Sequence, residues 1–136
     1  MDNIKLAAQL KIDEAIKRFP YKDTVGKTTI GVGRNLTDVG ISSSEVDYLL
    51  NNDIDVVIAS LNKNLPWWST LSENRQLVLA NMCFNLGINR LINFSITLNY
   101  VKTGQYDKAA DAMMQSIWAK QVGARATRLY KLMKEG

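Results

Sequence analysis

Apolar residues return at every fourth position at the start of the chain, Ile4, Ala8, Ile12 and Ile16, with Leu10 on a neighbouring row. The spacing predicts an amphipathic helix from about Asn3 to about Glu14, and Pro20 forbids its continuation. From Tyr21 to Leu36 the pattern changes. Thr24-Val25-Gly26-Lys27 supplies a turn and Thr28 to Val32 supplies β-branched residues, so a small antiparallel hairpin is expected, with a third strand after Gly33.

Beyond Ser42 the pattern is helical. Ser42 and Glu45 have the spacing of a capping box, and Val46, Leu50, Ile54, Val57 and Leu61 mark one face of a long helix suited to join two lobes. Thr70 and Glu73 repeat the spacing before a run that ends at Leu86, with Gly87 as its C-terminal cap. Shorter helices are expected near Leu91–Thr103, Asp107–Trp118 and Arg125–Lys134, punctuated by Gly104 and Gly123. Trp67, Trp68 and Trp118 read either as core or as stacking platforms for a sugar face, with packing the stronger expectation for Trp118 and at least one of the pair. Met113 and Met114 read as core filler.

Composition narrows the chemistry. The 136 residues contain no histidine and one cysteine, Cys83, which lies in an apolar run and reads as a buried residue. Ser-His-Asp and Cys-His catalysis, imidazole metal sites and an intramolecular disulfide are therefore excluded, and no metal or cofactor is expected. An enzyme built from this sequence must work with carboxylates, hydroxyls, Lys or Arg. No stretch reaches the roughly 18 apolar residues of a membrane helix, and the N-terminus lacks a signal-peptide core. The expectation is accumulation in the cytosol. The net charge of +4 is uneven: residues 1–73 carry 8 basic and 10 acidic side chains, residues 74–136 carry 9 and 3. A cationic second half attracts polyanions, among which charge alone does not choose.

Glu14 falls at the expected C-terminal end of the first helix, where the macrodipole disfavours an anion. Asp23 lies just before the hairpin turn, and Thr29 lies in the returning strand. Glycoside hydrolysis needs such a set, one carboxyl group to protonate the leaving oxygen and another to activate water or attack the sugar. Singly, each residue has an ordinary reading: a solvated helix end, a turn former, a strand residue.

The segment IDEAIKRFPYKDTVGKTTIGVGRNL resembles the signature of the phage-type lysozymes, glycoside hydrolase family 24. In that family a Glu near the end of the first helix is followed by Y-x-D-x-x-G-x-x-T-I-G-x-G. Glu14, Tyr21, Asp23, Gly26, Thr29, Ile30, Gly31 and Gly33 fill those places at the family's spacing. A weaker similarity continues through NMCFNLG, FSITL and WAKQVGARATRL, so it covers nearly the whole chain.

The resemblance implies an endolysin, a muramidase that cleaves the β-1,4 bond between N-acetylmuramic acid and N-acetylglucosamine in peptidoglycan, with inversion. Glu14 would be the acid, Asp23 the base, and Thr29 would hold the attacking water. An inverting pair stands roughly 6.5 to 9.5 Å apart. By position, Asn35, Phe84 and Thr97 correspond to cleft-lining residues and Arg125 to a cation that pairs with the catalytic Glu. A cation there favours the ionised carboxylate, so the pair is expected to orient Glu14 in the free enzyme and to loosen when substrate arrives; a structural Arg at a helix end is the alternative.

The implied architecture is α+β and lysozyme-like, one domain over residues 1–136. An N-terminal hairpin lobe spans about 12–60, and a long connecting helix leads to a helical lobe over about 61–136 that packs with the first helix, 3–11, and closes the cleft. The chain departs from the family where Ala15 replaces the usual Gly after the Glu, where Arg34 replaces a common His, and where Ala112 replaces a polar residue. If the backbone at 15 needs φ > 0, alanine costs on the order of 1 kcal/mol.

The expected partner is peptidoglycan, met by a monomer once another protein, a holin, has opened the membrane. Three rival readings are a wall-binding relative that has lost turnover, a basic helical nucleic-acid binder, and a membrane disruptor acting through the C-terminal helix ARATRLYKLMKEG. Against the second, Lys and Arg are scattered and no nucleic-acid motif is present. For the third, a core-facing amphipathic helix has the same pattern.

Overall fold

The computed structural model describes residues Met1–Gly136 and has eight α-helices, one 3-10 helix and one three-stranded antiparallel sheet. Two compact units divide between Leu49 and Leu50, within one continuous helix.

In the first unit, α1 (Asn3–Asp13) opens on Asp2, whose carboxylate accepts the Ile4 and Lys5 N–H groups, and closes on Glu14 as its C-cap. The next residue, Ala15, turns the chain out of the helix at φ 61°, the one non-glycine residue with positive φ. Three strands follow, β1 (Lys17–Lys22), β2 (Thr28–Gly31) and β3 (Arg34–Asn35), in the order β1-β2-β3. Pro20 is accommodated because β1 is an edge strand with a bulge between Lys17 and Tyr21. Tyr21 pairs with Thr29, and Thr29 in turn with Asn35 on the other side.

Helix α2 (Ser43–Asn64) starts on the expected capping box: the Ser42 hydroxyl accepts the Glu45 N–H at 3.2 Å and the Glu45 carboxylate accepts the Ser42 N–H at 2.9 Å. Glu45 has a second partner that spacing did not suggest. Arg34 on β3 reaches the same oxygen at 2.8 Å and the Gly40 carbonyl at 3.2 Å.

In the second unit, a 3-10 helix (Pro66–Thr70) precedes α3 (Glu73–Leu86). The expected cap Thr70 is not the one used. Its hydroxyl bonds back to the Trp67 carbonyl, and Ser72 accepts the Arg75 N–H in its place. Gly87, at φ 80°, ends α3 as expected.

Where the sequence suggests one helix near Leu91–Thr103, α4 (Ile88–Ile92) and α5 (Ser95–Lys102) are separated at Asn93-Phe94, and the Phe94 ring lies edge-on to Trp118. The expected helix Asp107–Trp118 is likewise two, α6 (Tyr106–Met114) and α7 (Ile117–Val122), because the Ser116 hydroxyl bonds the Met113 carbonyl and accepts the Ala119 N–H. Helix α8 (Ala124–Glu135) completes the unit.

Leu61, Val78, Leu79, Met82, Leu91, Val101, Met113 and Met133 are fully buried there, and Ala109, Ala110 and Ala126 let α6 and α8 approach closely. Met114, one residue round the helix from Met113, points outward. Trp68 and Trp118 are core, each with its indole N–H on an asparagine, Asn62 and Asn85. Arg75 pins the end of α8: it donates to the Met133 and Lys134 carbonyls while its guanidinium stacks 3.5 Å above the Tyr106 ring.

The Arg34 guanidinium, then the Ser42 N–H, hold the Glu45 carboxyl down at about 2 against its ordinary 4.5. A carboxyl whose folded value is depressed stabilises the fold above its unfolded value, and that contribution is lost as pH falls towards the folded value. The Tm difference between the parent and Glu45→Gln should therefore be widest above pH 4.5 and close as pH falls to about 2, as thermal melts across that range will test.

Candidate active site

The first unit brings Glu14, Asp23 and Thr29 onto one short scaffold. Asp23 is a turn former and more than that. Its Oδ1 accepts the N–H groups of Val25 at 3.0 Å and Lys27 at 2.8 Å, which fixes the β1–β2 turn and leaves Oδ2 as the oxygen able to face a water. The Lys27 carbonyl accepts the Asp23 N–H at 2.9 Å and the Thr29 hydroxyl at 3.1 Å. One main-chain residue thus clasps both side chains. Thr29 is buried, and because its proton is committed to Lys27, the hydroxyl oxygen has only lone pairs to offer a further partner.

Glu14 is positioned from two directions. Its backbone belongs to the helix through the bond from its N–H to the Leu10 carbonyl at 2.8 Å. Its carboxyl rests on the β2–β3 loop at Gly33, where an added Cβ would lie 3.0 Å from Oε2 and 3.2 Å from Cδ. Gly33 also sits at φ +69°. A side chain there would push the Glu14 carboxyl aside by a few tenths of an ångström and would itself be strained by the backbone conformation. At Gly31, also at positive φ, an added Cβ would meet nothing, so of these two glycines only Gly33 is constrained by space.

The looser site residues are distributed differently. Asn35 stands beside Thr29 in the sheet, with its amide spent on Asp38: Nδ2 donates to Oδ2 at 2.9 Å and Oδ1 accepts the Asp38 N–H. Asp38 also meets the Lys27 ammonium at 3.3 Å. In the second unit, Phe84 and Arg125 line one groove of about 540 Å³ together with Asn81, Leu77 and Leu129. Arg125 donates to the Asn81 side-chain oxygen at 2.8 Å and to its carbonyl at 3.3 Å. Thr97 is buried on α5 and is not part of that groove. Cys83 is buried, and desolvation pushes its thiol up, away from the reactive thiolate.

Comparison with known proteins identifies the family. The family model described as phage lysozyme matches residues 11–134. The chain belongs to the phage lysozyme family. It is accordingly a glycoside hydrolase of the lysozyme class with an α+β fold. Among its relatives, the probable T4-type lysozyme 1 of Dictyostelium discoideum is 29% identical over 157 aligned positions, covering 93% of this chain and 92% of that protein. The pre-baseplate central spike protein Gp5 of Enterobacteria phage T4 is 26% identical, covering 98% of this chain and 28% of its own length. The SAR-endolysin of Escherichia phage Mu is 29% identical over 78% of this chain and 62% of its own.

Two features escaped the reading of the sequence. Lys27 acts through its main chain, which no residue identity advertises, and Arg34 finds Glu45 eleven positions away. Gly33 was visible as a motif glycine, but only its approach to Glu14 explains the requirement.

Two substitutions test this geometry. Gly33→Ala should displace the Glu14 carboxyl and lower reducing-end release from cell walls, whereas Gly31→Ala, strained but not obstructed, should leave the Glu14 seat intact and retain more activity at equal folded fraction. Ala15→Gly should raise stability by about 0.5–1 kcal/mol in denaturant titration, because the left-handed conformation strains alanine by more than glycine loses in chain entropy.

Proposed function

We propose that this lysozyme hydrolyses the β-1,4 bond between N-acetylmuramic acid and N-acetylglucosamine in bacterial peptidoglycan, with inversion, as one catalytic domain over residues 1–136. The observation that carries the mechanism is the double claim on the Lys27 carbonyl by Asp23 and Thr29. A water lying between the free Asp23 Oδ2 and the Thr29 hydroxyl donates one proton to each oxygen. Its lone pair is then left to attack the anomeric carbon.

As the new C–O bond forms, the proton passes to Asp23, and Glu14 protonates the departing oxygen of N-acetylglucosamine. Charge is conserved: Glu14 ends ionised and Asp23 protonated, and solvent exchange resets both. Attack from the face opposite the leaving group gives the inverted hemiacetal. By correspondence with the family's cleft residues, Asn35, Phe84 and Arg125 are the proposed substrate contacts, and Thr97, buried on α5, is proposed to support the cleft rather than touch the sugar.

Peptidoglycan is the partner this reading requires, and the cationic second half suits an anionic wall. The proposed setting is host lysis, with another protein opening the membrane. No helix is long and apolar enough to cross a membrane.

The test is turbidity loss of outer-membrane-permeabilised bacteria together with release of reducing sugars, for the parent, Glu14→Gln and Asp23→Asn. Both variants should fall by at least about 100-fold, the scale of a lost general acid or base, and the first-formed anomer, read by NMR, should be inverted. Turbidity loss without new reducing ends would favour membrane disruption by α8. Wall binding without turnover in the parent would mean a binding relative, and either result defeats the reading.

A further inference from the structure

Strand β3 is two residues long and pairs with β2 alone, yet the loop that enters it carries the glycine on which the Glu14 carboxyl rests. The loop, with Gly31 and Gly33 both at positive φ, is permissive by composition. Pairing supplies two rungs, Thr29 with Asn35 and Ile30 with Arg34. What else fixes Gly33 is its neighbour. The Arg34 side chain leaves β3 and binds the Glu45 carboxylate at 2.8 Å and the Gly40 carbonyl at 3.2 Å. Glu45 is itself immobilised by its capping box with Ser42, in the first turn of a helix of 22 residues.

We propose that Arg34 and Glu45 are positioning residues for the hydrolysis, a strut that runs from the start of α2 through β3 to Gly33 and so sets where the Glu14 carboxyl sits. The inference rests on the reading of Glu14 as the acid. Neither side chain has to touch the sugar. The strut acts through the Gly33 backbone, and the same anchoring of β3 keeps Asn35 in register beside Thr29. Its charges suit the task, since Arg34 stays a cation and the Glu45 carboxyl, lowered by the same contact, stays an anion over the working range of a cell wall.

The experiment compares kcat and KM for reducing-end release by the parent, Arg34→Met, Glu45→Gln and Arg34→Lys, each normalised to its folded fraction by circular dichroism. Arg34→Met and Glu45→Gln should lose about tenfold in kcat, less than the roughly hundredfold that a 1 Å misplacement can cause, with KM within twofold of the parent. Arg34→Lys, which can still reach Glu45, should recover at least half of kcat.

Unchanged kcat in both disrupting variants would overturn the proposal. So would a loss confined to KM, which would make Arg34 a substrate contact, or Arg34→Lys as impaired as Arg34→Met. Glu14→Gln run beside them separates the two failures. If it stays active, the reading of Glu14 falls; if it is dead while the strut variants match the parent, only the strut falls.

Discussion

The carbonyl oxygen of Lys27 is the point on which the first unit turns. Thr29 is the only buried residue among the first 49, so apolar burial is not the main thing that fixes this hairpin. Directional bonds do so instead. Lys27 gives its N–H to Asp23 and takes the Asp23 N–H and the Thr29 hydroxyl in return, so turn, strand and two polar side chains share one anchor. Hydrogen bonds orient where apolar contacts merely pack, which suits a scaffold whose task is to aim oxygens.

The second unit follows the opposite principle. Its helices meet over a continuous apolar core, with alanines where backbones come close and indole N–H groups satisfied by asparagines. The polar device there is Arg75, which closes the far end of α8 by stacking and by donating to carbonyls that the helix leaves unpaired. One chain thus holds two solutions to the same problem of order. The proposed catalytic side chains are held by directional bonds, and the helical core by packing.

How much of this could be read from the sequence depended on the range of the interaction. Features carried by a few consecutive residues were legible: the end of α1 at Glu14, the hairpin with its third strand, the Ser42–Glu45 capping box, the Gly87 stop. The strain at Ala15 was conditional on a backbone angle, and the angle of 61° meets the condition. Where two local signals compete, as Thr70 and Ser72 do for the cap of α3, spacing alone does not decide; a threonine hydroxyl can cap the next helix or bond its own preceding turn, and the 3-10 helix begun by Pro66 selects the second. The break at Asn93-Phe94 carries no glycine or proline because it accompanies the distant ring of Trp118. The motif named Glu14, Asp23 and Thr29, but not the contacts of Lys27 and Gly33 that place them, since those depend on how the chain folds back on itself.

Asp23 divides its labour between two oxygens. One is a structural acceptor that two backbone N–H groups require, and the other is the one free for the proposed chemistry. An amide at this position keeps the first function and abolishes the second. On that proposal shape and reactivity are separable at a single atom, and a protein altered there would be a trap, able to hold an uncut glycan strand for crystallography without a synthetic inhibitor.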